Sequence, residues 1–178
     1  MTQAPQVPTE ALPEIGRRLR DTYDRLDRGE RATLRRCTTV DEMLLEGAFW
    51  RLRRLAGADD RDPEEAAQVV VLFPSCEARV GPGFTLGRFL FASLNAEQQR
   101  ATKTPMRLRQ LLACRDRDAL VHRLRRLLTA IGKPVDWGAL YADLSWWRRG
   151  EASRDRVARR WVRDFFDDNS PDAPDAHP

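Results

Sequence analysis

The stretch RDALVHRLRRLLTAI, residues 117–131, decides the fold class. Its apolar residues Leu120, Val121, Leu124, Leu127, Leu128 and Ile131 recur every three or four positions, the repeat of one α-helical face. A half-buried strand needs strict alternation, and this stretch has none. Arg126 falls opposite the apolar stripe, with Arg123 and Arg125 on its flanks. The helix is therefore expected to bury one side and carry cations on the other. Gly132 and Pro134 stop it.

The same period continues in both directions. Toward the C-terminus, Asp136 caps a helix carrying Leu140, Leu144 and Trp147. A last helix over 153–166 sets Val157, Trp161 and Phe165 four residues apart. Toward the N-terminus, Thr104-Pro105 opens a helix holding Met106, Leu108, Leu111 and Leu112, and Thr85 can cap a segment over 86–94. Asp62-Pro63-Glu64-Glu65 combines an acidic cap, a proline at the first helical position and acids in the first turn. Thr39-x-x-Glu42 is a capping box, and the following segment 48–55 places Phe49, Leu52 and Leu55 on one side. At the start of the chain, Leu12, Ile15, Leu19, Tyr23 and Leu26 mark a first helix. Gly29 interrupts it, and 31–36 reads as a short second one. Val69-Val70-Val71 is strand-like in composition but nothing around it alternates.

The expected fold is all-α, two small bundle-like helical lobes with no sheet. The lobes are residues 10–74 and 85–167. A linker over 75–84, containing Gly81-Pro82-Gly83, joins them. A flexible N-terminus (1–9) and a disordered acidic tail (168–178) flank them.

Charge is distributed unevenly. From Arg88 to Arg160 there are 17 Lys/Arg against 7 Asp/Glu, a local excess of +10, whereas residues 1–62 hold 12 of each. The last fifteen residues hold five acids and no Lys or Arg. A polyanion responds to the local field, so the basic stretch is a footprint for phosphate. Arginine outnumbers lysine 29 to 2. Its planar fork suits phosphate contact and stacking.

Other functional classes find little support. Cys37, Cys76 and Cys114 are far apart, no CxxC occurs, and the histidines are His122 and His177. Free thiols in a reducing cytoplasm are expected, and a metal site is not. No run of 18 apolar residues occurs, and MTQAPQVPTE lacks a signal-peptide pattern, so a soluble cytoplasmic chain without membrane contact is expected. The glycines at 81 and 83 are not followed by Lys-Ser/Thr, and no GxGxxG occurs, so no cofactor is expected. His122 lies on a helix flank beside three arginines and is not read as a catalytic group. Asp136 reads as a helix cap and Asp143 as the ion-pair partner of Arg148 or Arg149. No enzyme is expected. Trp50, Trp137, Trp147, Trp161 and Phe165 fall on or beside apolar stripes and belong mostly to the core. Trp146, turned about 100° from Trp147, is the aromatic expected at the surface, against a partner or a base.

The order of these segments carries a resemblance. Leu26-Asp27-Arg28-Gly29, Ala32-x-Leu34-Arg35-Arg36 and Ala48-Phe49-Trp50-Arg51-Leu52 resemble the N-terminal part of the CasB family, the small subunits of the type I-E CRISPR surveillance complex Cascade. Thr85-Leu86-Gly87-Arg88, Leu124-Arg125-Arg126-Leu127-Leu128, Val135-Asp136-Trp137, Asp143-Leu144-x-Trp146-Trp147 and Arg160-Trp161-x-x-Asp164-Phe165-Phe166 continue it. The likeness spans roughly residues 10 to 167 and departs at Cys114, where the family is expected to carry a basic residue and Arg115 stands beside it.

The resemblance implies a non-catalytic antiviral-defence subunit, present as a pair with a second copy of itself. It would contact crRNA-bearing backbone subunits and the large subunit, hold target DNA, and offer a basic path to the displaced strand. The candidate nucleic-acid contacts are Arg35 and Arg36, which end a short helix and match the family's basic pair, together with Arg125 and Arg126. Arg88, Arg107, Arg109 and Arg115 would extend the path. The alternative is a helical adaptor that docks on acidic protein partners without touching nucleic acid.

Overall fold

The computed structural model describes residues 11–76, 85–94 and 105–167. The expected N-terminal segment, the Gly81-Pro82-Gly83 part of the linker, Thr104 and the tail at 168–178 lie outside the described residues. Among those described, regular structure is helical, with ten α-helices and one 3-10 turn.

Five helix starts follow acceptors that the chain supplies, at Asp27, Thr39, Asp62, Asp116 and Asp136, whereas Thr85 precedes its helix without a side-chain cap bond. α1 spans Ala11–Arg25 and α2 spans Arg28–Arg36. The Asp27 side chain accepts from the Glu30 backbone N–H, so α2 begins ahead of Gly29 rather than after it. A side-chain cap outweighs the modest cost of glycine within the first turn. α3, Val40–Leu45, has the full Thr39/Glu42 capping box. α4 covers Gly47–Leu55. α5, Pro63–Val70, starts on Asp62, which accepts from the Glu64 N–H. Val69 and Val70 are helical and buried, so packing overrides their strand preference.

After a 3-10 turn at Phe73–Ser75 come α6 (Leu86–Ala92), α7 (Met106–Leu112) and α8 (Arg117–Ile131). Gly132 adopts the left-handed conformation, φ 62°, that ends α8, and its N–H donates to the Leu128 carbonyl. α9, Trp137–Trp147, starts on Asp136, which accepts from the N–H groups of Gly138 and Ala139. α10 spans Glu151–Phe166.

α9 is the centre of the molecule. Tyr141, Ala142, Asp143 and Ser145 are buried along with Leu140, Leu144 and Trp147, so the helix has no wet face. α1 packs along it most extensively, and α5 and α10 also lie against it. The α1–α9 approach is close because both helices carry glycine at the crossing. A Cβ on Gly138 would sit 2.3 Å from the Pro13 carbonyl oxygen, and one on Gly16 would sit 2.5 Å from Tyr141 Cβ. Helices from either side of the expected lobe boundary therefore meet along α9. Full burial of each large apolar side chain here contributes about 1.5–3 kcal/mol of transfer free energy.

Two buried arginines fix turns. Arg53 donates to the carbonyls of Ala58 and Arg61 at 3.0 and 2.6 Å, holding the turn after α4. Arg20 donates through Nη1 to the carbonyls of Phe73 and Cys76 at 2.9 and 3.1 Å. Its guanidinium lies 5.2–5.5 Å from the ring centroids of Phe73, Trp137 and Tyr23.

Two expectations, the partner of Asp143 and the burial of Leu55, are corrected by this packing. Asp143 does not pair with Arg148 or Arg149. It is buried, accepts from Trp161 Nε1 at 2.5 Å and forms an ion pair with Arg160. Arg148 instead reaches Asp62 and Glu64, both at 2.8 Å. Trp146 reaches the surface in part, half-buried beneath Arg149 and Arg156, whose guanidinium carbons lie 4.3 and 5.6 Å from its ring centroid. Leu55, expected on the buried side with Phe49 and Leu52, is 58% exposed, and of the aromatics expected mostly in the core Trp137, Trp147, Trp161 and Phe165 are buried while Trp50 is 45% exposed.

Candidate nucleic-acid interface

α8 buries Leu120, Val121, Leu124, Leu127 and Leu128 and turns its opposite side outward. On that side Arg123, Arg126 and Ala130 follow the i, i+3, i+7 spacing of one helical face. α7 buries Leu108 and Leu111 and presents Arg107 and Gln110 across the gap. The two helices enclose an open groove of about 290 Å³, lined by Arg107, Gln110, Leu111, Arg123, Arg126, Leu127 and Ala130. None of these lining residues is acidic. Among the described residues, no carboxylate forms an ion pair with Arg107, Arg109 or Arg126. The groove floor is apolar and its rim cationic, a combination that attracts an anionic chain with flat apolar faces.

The other candidate arginines divide into distinct environments. Arg35 and Arg36 are exposed on the last turn of α2. Arg125 is half-buried, and its Nη1 donates to the Cys37 carbonyl at 2.9 Å. Cys37 caps α2 directly after Arg36, so this bond brings the Arg35/Arg36 and Arg125/Arg126 pairs to one junction. Arg109 is exposed on α7 outside the groove lining. Arg115 is exposed and forms a loose pair with Glu151 at 3.7 Å. Arg88 is half-buried on α6. Sequence reading placed Arg123 on the helix flank but did not assign it to the site. Its three-residue spacing from Arg126 was the available signal.

Neighbouring groups with chemical potential are quieter. The three cysteines are free and buried. Burial pushes the Cys37 and Cys114 thiols up from their ordinary range, which disfavours thiolate. Cys114 Sγ donates to the Gln110 carbonyl at 3.3 Å, behind the groove. His122 is exposed on α8. Among the described residues no group of three His, Cys, Asp or Glu side chains is placed to hold a metal ion. No described helix is long and apolar enough to cross a membrane.

Comparison with known proteins agrees with this architecture. The profile of the CRISPR-associated protein Cse2 family matches residues 30–166. The chain is 30% identical over 139 residues to the CRISPR system Cascade subunit CasB of Escherichia coli K12, covering 72% of this chain and 82% of that protein. It also superposes on a chain from the crystal structure of E. coli Cascade bound to a PAM-containing dsDNA target. That superposition has a TM-score of 0.62 at 26% identity, covering 83% of this chain and 93% of the other. Residues 30–166 of this chain, most of its length, thus carry the family's pattern, and the chain belongs to the CRISPR-associated Cse2 (CasB) family.

Proposed function

We propose that the chain is a non-catalytic subunit of a Cascade-type complex. In that complex it holds target DNA and the displaced strand along an arginine-lined surface. The observation that carries this reading is the groove between α7 and α8, where Arg107, Arg123 and Arg126 converge with no acidic residue in the wall. Guanidinium groups facing phosphate release condensed counterions, which gives affinity without sequence preference. Exchanging a DNA duplex for an RNA–DNA heteroduplex is nearly balanced in free energy, so such contacts can tip it. Guide pairing supplies the sequence reading, and the subunit needs only to grip backbone. Its partners in this reading are crRNA, target DNA, the backbone and large subunits, and a second copy of itself. The relative's membership of Cascade supports the assembly.

One observation favours protein contact elsewhere on the surface. Trp50 Nε1 is held by the Leu44 carbonyl at 2.9 Å, and buried Arg53 lies 5.2 Å from its ring centroid. The ring is thus fixed in place, and Leu45 and Leu55 are exposed on the same pair of helices. Fixed exposed aromatics are typical anchors of protein interfaces. The adaptor reading would have this surface and the arginines act on protein alone.

The test is binding of the purified chain to single- and double-stranded DNA at about 50 and about 200 mM salt. Affinity that falls steeply with salt, and falls further when Arg107 and Arg126 are replaced by Gln, supports the nucleic-acid reading. Assembly with partner subunits that survives nuclease treatment, with no DNA binding at low salt, supports the adaptor.

A further inference from the structure

A second cleft, of about 290 Å³, opens between the end of α9 and the first turns of α10 and shares no residue with the α7–α8 groove. Its lining is Trp146 of α9 with Ser153, Arg156, Val157 and Arg160 of α10. Ser153 and Val157 are buried and one helical turn apart, so they supply its floor. Arg160 is committed to the buried Asp143 carboxylate. Trp146 is the aromatic wall. The Arg149 guanidinium carbon lies 4.3 Å from the indole centroid, at stacking distance, yet Arg149 does not line the cleft. It therefore supports the indole from outside. Arg156 approaches the indole from within the cleft, less closely, at 5.6 Å, and its Nη2 donates to the Ser153 hydroxyl at 3.1 Å.

The surface around this wall carries unneutralised positive charge. Arg149, Arg156 and Arg159 are exposed, and none of them forms an ion pair among the described residues. Arg156 and Arg159 stand three residues apart and so on one side of α10. The acids nearby are engaged elsewhere. Asp143 holds Arg160, Asp164 holds Arg163 at 2.9 Å, and Glu151 pairs with Arg115 at 3.7 Å. Asp155 is half-buried and pairs with none of the three. Glu65 lies within electrostatic reach of Arg149, but burial pushes its carboxyl up toward the neutral form.

A flat aromatic wall beside free guanidiniums suits a ligand that is planar in one part and anionic in the next. A run of carboxylates supplies charge with nothing to stack. A nucleotide supplies both in one unit, and every base has a π-face. We infer that this cleft is a base-stacking subsite for single-stranded nucleic acid, with an unpaired base on the Trp146 indole and its flanking phosphates facing Arg156 and Arg159. The inference rests on the function proposed above and deepens it. The groove grips backbone, paired or not, whereas this cleft takes only a base that is out of a duplex, so it acts on the displaced strand.

The full chain is titrated with oligo-dT and with an abasic strand of the same length and charge. Trp146→Leu, Trp146→Phe and Arg126→Gln are titrated in the same way. The parent should prefer oligo-dT by about tenfold, the scale of one stacked base. Trp146→Leu should bind both strands alike, at the parent's abasic affinity, and Trp146→Phe should keep a preference. Arg126→Gln should weaken both strands and leave their ratio intact. A strand carrying 5-iododeoxyuridine should photocrosslink to the parent at Trp146, which decides the matter without a variant if Trp146→Leu does not fold. A parent with no base preference overturns the subsite and leaves the groove standing. A preference that survives in Trp146→Leu, or vanishes in Arg126→Gln, overturns it as well. So does a crosslink that maps away from α9 and α10, or a polyglutamate peptide that binds as tightly as oligo-dT. A parent that binds neither strand overturns groove and subsite together.

Discussion

Arg125 Nη1 donates to the backbone carbonyl of Cys37 at 2.9 Å, tying the middle of α8 to the residue that caps α2. The bond spans 88 positions of sequence, and it sets adjacent arginines to different work. Arg125 is half-buried and holds backbone. Arg126 is exposed and lines the groove.

Replacing each of the pair should therefore separate stability from binding. Arg125→Ala removes a charged donor from a main-chain carbonyl and is expected to lower unfolding free energy by about 1–2 kcal/mol. Arg126→Ala should change stability by less than about 0.5 kcal/mol, as for a solvated surface residue. In DNA titrations the order should reverse, with Arg126→Ala the weaker binder. Urea unfolding and DNA titration of the two variants side by side check both halves.

Arg20→Met should be among the most damaging single changes. It strands the Phe73 and Cys76 carbonyls that Arg20 holds and removes the Arg20 ion pair from Asp24. Removing one member of a buried ionic arrangement costs about 3–5 kcal/mol. Chemical denaturation should show a large drop in midpoint. A near-neutral effect would mean that the aromatic packing around the guanidinium holds the turn unaided.

Gly87→Ala probes the α6–α10 crossing. The added Cβ would lie 2.2 Å from the Trp161 carbonyl oxygen and 2.9 Å from the Phe165 nitrogen, so main chain and not a yielding side chain is in the way. Overpacking of this kind costs about 1–3 kcal/mol and sometimes more, read as a lower Tm.

Two carboxylates should respond to acid with opposite sign. The Thr38 backbone N–H and hydroxyl, followed by the Thr39 N–H, hold Glu42 below its ordinary range. Its contribution is present above the unfolded pKa and is lost as pH falls through the folded one. Glu42→Gln should destabilise at neutral pH, with the difference closing in acid. Burial pushes Glu65 up, against the pull of Arg149 and Arg148. Its contribution is fully present below the unfolded pKa and is lost as pH rises through the folded one. Glu65→Gln should exceed the parent in stability at neutral pH and match it in acid. Urea unfolding from about pH 3 to about pH 8 tests both signs.

Local signals were the most legible in the sequence. The limits of α8, the Thr39/Glu42 box, and the caps at Asp62 and Asp136 depend on neighbours a few residues apart, and each reads directly from spacing. Relations between distant segments did not read that way. The partner of Asp143 is set by where α10 lies across α9, so Arg160 replaced the nearer Arg148. Trp50 sits one position from the buried stripe of Phe49 and Leu52, and only the Leu44 carbonyl and Arg53 explain why it is held outward. For the site, Arg126 was legible as a cation opposite the buried stripe and Arg107 as an extension of the basic path. Arg123 became visible when α7 supplied the facing wall, and Arg125 lost its free appearance when α2 arrived beside it.

The most direct test of the groove is a salt series on an assembled Cascade-type complex in which Arg107, Arg123 and Arg126 are all replaced by Gln. The parent's log affinity for target DNA should fall linearly with log salt. The variant should bind more weakly at low salt, with a slope shallower by about 0.9 for each phosphate that it no longer neutralises and an unchanged Tm. Equal affinity and equal slope in parent and variant would contradict a nucleic-acid role for the groove.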